Sequence, residues 1–170
     1  MSPRPVPART AAGIAAAVPD PELPMVTVAD LGILRQVREV GSHVTVTITP
    51  TYSGCPAMRE ISTDLSRRLR RAGYRSVTVR TELSPPWTSD WITPEGRRKL
   101  AAAGIAPPGP AGRPAGGPVP LRLTAGPRPV PCPRCGSART RETAAFSSTA
   151  CKSLHRCEQC HEPFEHVKEI

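Results

Sequence analysis

Four of the six cysteines in this 170-residue sequence form two Cys-x-x-Cys pairs near the end of the chain. The first pair is Cys132 and Cys135, followed by Gly136, and the second pair is Cys157 and Cys160. Two such turns can present four thiolates tetrahedrally to Zn²⁺, and a glycine after the second thiolate lets the backbone fold beneath the metal. Because four sulfur ligands leave no open position for a substrate, the sequence predicts a structural zinc site. A rubredoxin-like iron site or an iron-sulfur cluster is the alternative for the same ligands.

Cys151 lies between the two pairs. It could be a spare thiol or a substitute ligand. Because the paired cysteines already fill the four positions of zinc, we expect Cys151 to be a small packing residue.

Cys55 is the only cysteine before these pairs, in the stretch Thr51-Tyr52-Ser53-Gly54-Cys55-Pro56. Proline favours the first position of a helix, which places Cys55 at or next to the N-cap. There, unpaired backbone N–H groups and the helix dipole favour a thiolate. The pattern predicts a reactive or metal-binding thiol, with hydroxyls such as that of Thr51 nearby. The alternative is a small apolar residue packed beneath the start of the helix.

Two acidic motifs could add ligands to Cys55. They are Asp20-Pro21-Glu22 and Asp30-Leu31-Gly32. Each motif alone is explained by turn or cap chemistry. Together with Cys55 they offer carboxylate and thiolate ligands, provided that the fold brings them beside the start of the helix.

Hydrophobic periodicity predicts the elements that position these groups. Strict alternation over His43–Thr49 predicts a half-buried strand, and a turn signal before it predicts a hairpin partner over Ile33–Val40. Apolar residues recur every three or four positions over Pro56–Ala72, which predicts one amphipathic helix. Val77–Leu83 alternates again as a third strand. The predicted fold class is α/β, a small sheet of about three strands covered by helices.

Two tryptophans follow the third strand. Trp87 and Trp91 come after a Pro-Pro break, and Thr93 and Pro94 read as the N-cap and first residue of a short helix. We expect the tryptophans to close the open side of the sheet. A partner-docking surface is the alternative.

The sequence divides into three segments. Residues 1–106 are predicted to form the α/β domain, and residues 132–170 the zinc ribbon. Residues 107–131 are dominated by Pro, Gly and Ala, which predicts an extended linker with at most a brief strand at Val119–Leu123. The ribbon has about forty residues and little core, so we expect the metal to stabilise its fold.

The chain is strongly basic, with a formal net charge of +9 and 20 Arg against 3 Lys. The arginines are spread along the sequence, which indicates either solvated side chains or a surface for an acidic partner or a phosphate-bearing ligand. The apolar run Ala11–Val18 is too short to cross a bilayer and lacks a clear cleavage site, so a short amphipathic helix is expected. Cysteines in metal-type pairs predict a reduced, cytoplasmic protein.

Two sets of motifs in this sequence resemble those of known protein families. The stretches Asp20–Pro24, Asp30–Leu34 and Thr49–Pro56 resemble the metal-sulfur cluster biosynthesis domain family, whose members assist the maturation of iron-sulfur proteins. The tryptophan segment 87–92 and the C-terminal cysteine pairs resemble the D-subunit family (PaaD, also called PaaJ) of bacterial phenylacetyl-CoA epoxidase systems. The chain departs from this family at residues 167–170, where a further cysteine is often found and none is present.

The resemblance implies an accessory or maturation subunit in aerobic phenylacetate catabolism, acting in assembly rather than in catalytic turnover. The expected partners are the other epoxidase subunits, which hold a di-iron site and a flavin and iron-sulfur reductase. It implies that Cys55 holds iron or an iron-sulfur cluster transiently. The remaining members of this candidate site are Asp20, Glu22, Asp30 and Thr51. A homodimer is compatible with the resemblance.

Three other functions follow from the residues. The chain could be a structural or docking subunit that transfers no metal. An enzyme with Cys55 as its nucleophile would need a general base, and the nearest histidine, His43, lies at the other end of a predicted strand. A nucleic-acid-binding ribbon fits the charge but lacks interleaved aromatic and basic residues, so neither nucleic acid nor membrane is an expected partner.

Overall fold

The structure is a computed structural model that describes residues 10–52, 54–111 and 129–170. The chain divides into two compact units, an N-terminal unit at Met1–Lys99 and a C-terminal unit at Leu100–Ile170. The predicted domain limits at residues 106 and 131 stay predictions. Most of the predicted linker, including the brief strand at Val119–Leu123, lies outside the described residues.

The N-terminal unit contains a three-stranded sheet in the order β1-β2-β3. Its strands are β1 (Leu34–Val40), β2 (His43–Ile48) and β3 (Ser76–Thr81). β1 and β2 pair antiparallel as the predicted hairpin, whereas β2 and β3 pair parallel. Parallel neighbours require a crossover connection, and the predicted helix between them supplies it.

The crossover is helix α2 (Ala57–Arg71). Its buried face presents Ile61, Leu65 and Leu69, at the helical spacing that the sequence predicts. These side chains are at most 1% exposed, as are Val46 and Ile48 of β2. Burying a side chain of this size contributes about 1.5 to 3 kcal/mol, so this layer contributes strongly to the stability of the unit.

The other face of the sheet is polar. Thr45 and Thr47 of β2 alternate with its buried valines, and their register partners are Arg38 on β1 and Arg80 on β3. Both arginines are exposed. Clean alternation of this kind is typical of a sheet with a single covered face.

Two shorter helices complete the helical elements. α1 (Ala11–Ala16) confirms the predicted short helix near the start of the chain. α3 (Pro94–Ala102) begins after Thr93, whose Oγ1 accepts a hydrogen bond from the Gly96 N–H at 3.0 Å. The predicted N-cap of this helix is therefore confirmed.

The tryptophan segment packs against the loop that precedes β1. Trp87 is buried, and its Nε1 donates to the carbonyl of Leu31 at 2.9 Å. Trp91 is half-buried, with the Arg35 guanidinium carbon 4.1 Å from its ring centroid. Gly32 has a φ of +68°, and a Cβ at this position would lie 2.6 Å from the Cβ of Trp91. The contacts of Trp87 favour packing over docking, but this packing is on the loop before β1, and Arg38 and Arg80 on the open face of the sheet stay exposed.

The C-terminal unit contains a second sheet, in which three antiparallel strands follow the order β4-β5-β6. They are β4 (Thr140–Ala144), β5 (Lys152–Cys157) and β6 (Pro163–Val167). Ala106 makes two backbone hydrogen bonds beside β6, donating to Glu165 O at 2.8 Å and accepting from Val167 N at 3.0 Å. The small core cluster of this unit consists of Ala106, Cys132, Cys157 and Phe164.

Within the residues described, no helix is long and apolar enough to cross a membrane.

Candidate metal centre and thiol site

The four paired cysteines meet in the C-terminal unit. Their Sγ atoms all lie within 4.8 Å of one another. The Cys132–Cys160 sulfurs are 3.7 Å apart and the Cys135–Cys157 sulfurs are 3.6 Å apart. A tetrahedral ZnS₄ site with Zn–S bonds of about 2.3 Å has sulfur–sulfur edges of about 3.8 Å. The donor set therefore fits a tetrahedral metal of the size of zinc.

Local backbone geometry presents the first pair of sulfurs. The Gly136 N–H donates to the Cys132 carbonyl at 2.8 Å, and the Cys132 N–H donates to Ser137 O at 3.0 Å. Gly136 has a φ of +73°, a conformation that glycine adopts at little cost. In the second turn the equivalent position is His161, with a φ of +61°. A glycine therefore marks this turn in the sequence after Cys135, whereas no glycine marks it after Cys160.

Backbone donors favour charge on one thiol of the group. The Cys160 and Gln159 N–H groups donate to Cys157 Sγ at 3.5 and 3.4 Å. The pKa of Cys157 is lowered to about 6, and the hydrogen bond from the Cys160 amide is the largest cause. Although the Glu162 amide lowers the pKa of Cys160, burial and the neighbouring thiols raise it to about 12. One stabilised thiolate amid other thiols is the arrangement that a cation completes.

Cys151 lies outside this group. It is half-buried, and its Sγ lies 3.1 Å from Thr149 Oγ1. This placement agrees with the packing interpretation. The structure describes all six cysteines, and none of them takes part in a disulfide bond.

Cys55 is half-buried immediately before the start of α2. Gly54 has a φ of +85°, and the Cys55 N–H donates to Tyr52 O at 3.3 Å. The helix begins at Ala57 with Pro56 as its N-cap, one residue later than the sequence suggests. Pro56 provides no side-chain cap for the helix, and the Cys55 carbonyl accepts the Met58 N–H at 3.4 Å. The predicted position of the thiol next to the N-cap is confirmed.

The Asp20 carboxylate is used in a turn. Asp20 is buried, and its Oδ1 accepts the N–H groups of Glu22 and Leu23, each at 2.9 Å. Such bonds fix an Asx-type turn. Glu22 is half-buried in this turn, and Thr51 is half-buried after β2.

The Asp30 carboxylate also has structural partners. Its Oδ2 accepts the Thr27 N–H at 3.0 Å and the Lys99 ammonium at 2.7 Å. Partial burial is the largest influence and raises the pKa of Asp30, but the bonds to Lys99 and Thr27 together outweigh it and hold that pKa below its usual range. Lys99 was missed by sequence reasoning, because a contact across 69 residues leaves no local signal.

The Asp20 loop lies beside α2. Pro19, Pro21, Glu60 and Ile61 are among the residues that line a common cavity of about 280 Å³. Glu60 is a carboxylate on the first turn of α2 that the sequence analysis did not single out. In the part of the chain that is described, groups of three or more close ligand atoms include the paired cysteines but not Cys55 with these acids. The combined site at Cys55 therefore stays a prediction.

A protein-family model matches a part of each unit. Residues 16–80 match the model of an iron-sulfur cluster assembly protein, and residues 117–168 match the PaaD zinc beta ribbon domain. Among similar solved structures, two are 26% identical in sequence. A domain of unknown function DUF59 from Bacillus anthracis has a TM-score of 0.49 over 53% of this chain and 87% of its own. The conserved hypothetical protein TM0487 from Thermotoga maritima has a TM-score of 0.44 over 59% of this chain and 98% of its own.

The chain is 42% identical over 151 residues to an Escherichia coli (strain K12) protein described as the putative D subunit of 1,2-phenylacetyl-CoA epoxidase. The match covers 89% of this chain and 86% of the relative. The chain therefore belongs to the D-subunit family of phenylacetyl-CoA epoxidase, and in it an iron-sulfur cluster assembly domain precedes a zinc ribbon.

Proposed function

We propose that this chain is a maturation subunit that assists the insertion of iron or an iron-sulfur cluster into partner subunits of a phenylacetyl-CoA epoxidase. The observation that carries the proposal is the half-buried Cys55 thiol, placed directly before a helix start that has no side-chain cap. Its support from the comparisons is the iron-sulfur cluster assembly domain over residues 16–80 and the relative named as an epoxidase subunit.

In this proposal Cys55 is the ligand that holds the metal cargo during transfer. Thiolates bind iron well, and the positive end of the α2 dipole favours the thiolate form. The Asp20 turn fixes the backbone that carries Glu22, while the Asp30–Lys99 pair fixes the next loop. Asp20 and Asp30 therefore act chiefly by positioning, and Glu22 and Thr51 are the other members of the candidate site.

The paired cysteines have a different role. Cys132, Cys135, Cys157 and Cys160 would hold a structural zinc ion, which supplies fold stability rather than reaction chemistry. Cys55 is not a member of this group of four.

The proposed location is the cytoplasm, where thiols stay reduced. None of the six cysteines forms a disulfide bond, as both metal roles require. The client is the iron-sulfur reductase or the di-iron component of the epoxidase, since these are the subunits that need iron. Transfer from a homodimer of this chain is compatible with the same chemistry.

The test is to produce the partner subunits together with the intact chain, with Cys55→Ser, or with Cys151→Ser as the matched control. The partners are then purified and their iron, acid-labile sulfide and epoxidase activity are measured. We expect Cys55→Ser to lower partner iron and activity about tenfold, while Cys151→Ser leaves both within about twofold of the intact chain.

The zinc content and melting temperature of each variant establish that its fold is retained. Unchanged partner iron with Cys55→Ser would contradict the proposal and leave the chain a structural or docking subunit. Iron that falls in one partner only would identify the client.

A further inference from the structure

The solvent face of α2 forms a shallow hollow that none of the functions above uses. Its volume is about 630 Å³. We call it the arginine furrow, and its lining residues are Ser62, Thr63, Ser66, Arg67, Arg70 and Arg71. We propose that the arginine furrow is a docking surface for an acidic segment of another protein.

Helical spacing produces the furrow. Thr63, Arg67, Arg70 and Arg71 follow the i, i+4, i+7, i+8 pattern that places side chains on one helix face. The small side chains along the centre leave room between the long arginine stems. The Ser62 and Thr63 hydroxyls donate to the carbonyls of their own helix, so they add no competing charge.

The charge of this face is only partly balanced. Asp64 bonds to both Arg67 and Arg68, the latter from Nε at 2.8 Å. Within the described parts of the chain, no carboxylate forms an ion pair with Arg70 or Arg71. Both side chains are exposed. Two exposed cations beside a hollow are thus available to negative charges on a partner.

Cations in the last turn of a helix also offset its dipole, which is the ordinary structural reason for Arg68, Arg70 and Arg71. That reason explains positive charge anywhere around the last turn. It does not explain a hollow of small hydroxyl residues extending along the same face from Ser62. The combination of charge and shape is what a docking segment requires.

The position on the helix selects the chemistry of the partner. The C-terminal end of α2 presents carbonyl groups and a negative dipole, which disfavour a compact phosphate held against the backbone. Carboxylates on a peptide can instead meet the guanidinium tips in bidentate pairs, away from the helix axis. From Ser62 to Arg71 the face is about 14 Å long, enough for two to three turns of a partner helix.

A nucleic acid fits this surface less well. The furrow contains no aromatic side chain on which a base could stack. The arginine stems do provide apolar area for the non-charged face of an amphipathic segment. An acidic amphipathic helix therefore matches both the charge and the shape of the furrow.

The experiment measures fluorescence anisotropy of a labelled helical peptide of about 20 residues, built from Glu, Ala and Leu with Glu repeated at i, i+4. It is titrated with the full chain at about 50 and about 200 mM NaCl. The test variant is Arg70→Glu/Arg71→Glu, and the matched control is Arg38→Glu/Arg80→Glu on the open sheet face. Both variants change the net charge equally.

We expect the furrow variant to weaken peptide binding about tenfold or more and the control to weaken it by no more than about twofold. A peptide with Lys in place of Glu should bind the furrow variant more tightly than the unaltered chain. If charge reversal disturbs α2, as circular dichroism would show, Arg70→Gln/Arg71→Gln replaces it with a smaller loss expected.

Equal losses for both double variants would overturn the proposal, because they would reduce binding to general charge attraction. So would absence of peptide binding at the lower salt concentration. Tighter binding of an oligo-dT strand that is lost in the furrow variant would assign the surface to nucleic acid. Displacement of the peptide by inorganic phosphate at equal ionic strength would assign it to a phosphate ligand. These outcomes are independent of Cys55, so they leave the proposed metal transfer untouched.

Discussion

The two units of this chain achieve order by different means. In the N-terminal unit, β2 and α2 bury branched aliphatic side chains such as Ile48, Ile61 and Leu65 between a helix and a sheet. The C-terminal unit instead surrounds four thiols with a small cluster to which Phe164 contributes the large apolar side chain. It also buries polar groups, including Lys152, Ser153, His155 and His166.

The buried polar groups of the C-terminal unit are paired with neighbouring side chains. Lys152 donates to Glu165 at 2.8 Å, and Ser153 Oγ lies 2.9 Å from His155 Nε2. Such pairs offset the cost of burial but add little net stability. We therefore expect the N-terminal unit to fold on its hydrophobic core and the C-terminal unit to depend on a bound metal.

The largest expected effect tests that dependence directly. Cys157→Ser removes the most favoured thiolate of the metal group, so the C-terminal unit should lose its metal and unfold. We expect zinc to fall from about one per chain to near zero, with amide exchange increased throughout β4, β5 and β6 and unchanged in α2. Cys151→Ser, in the same unit, should keep its zinc. A metal-free C-terminal unit whose amides stay protected from exchange would contradict the expected metal dependence.

An intermediate loss of stability is expected from a change in the packing of the N-terminal unit. A Cβ added at Gly96 would lie 2.8 Å from the Asp30 carbonyl oxygen. Although alanine is the better helix former, we expect Gly96→Ala to destabilise the unit by about 2 kcal/mol in urea unfolding followed by tryptophan fluorescence.

Gly73→Ala is the matched control for Gly96→Ala. Gly73 has a φ of +101° and open space around its Cβ position. Gly73→Ala should therefore lower the free energy of unfolding by about 1 kcal/mol from backbone strain alone. Stabilisation by Gly96→Ala would show that helix propensity outweighs this contact.

The smallest effect concerns the ion pair of Asp30 with Lys99. The pKa of Asp30 is lower in the folded chain than in the unfolded chain, so the unfolded state binds more protons between the two values. The contribution of this carboxylate is present above about pH 4 and is lost as the pH falls through the folded pKa. We expect Asp30→Asn to lower stability at pH 7 by about 1.5 kcal/mol.

The pH dependence identifies the cause of that loss. The difference between the intact chain and Asp30→Asn should shrink when the urea unfolding is repeated at about pH 3. Glu82→Gln, at an exposed site, should stay within about 0.5 kcal/mol of the intact chain at both pH values. A difference for Asp30→Asn that persists undiminished in acid would assign the effect to packing rather than charge.

Local pattern was sufficient for much of the fold. The alternation in β2, the helical face of α2 and the Thr93 cap are each set by residues within a few positions of one another. The four metal ligands were equally predictable from the sequence, because each pair lies within one turn of backbone. The start of α2 was shifted by one residue, since proline suits either side of a helix boundary.

The set of elements, the likeness to a known family and the types of metal ligand are therefore all readable from local sequence. The folded chain was needed to show that β3 runs parallel to β2, that Asp30 bonds to Lys99 and that the four sulfurs lie within 4.8 Å of one another. It also showed that Asp20 uses its carboxylate in a turn. The two kinds of information differ in range, because periodicity records which face of an element is buried, whereas these contacts depend on which distant segment packs against that face.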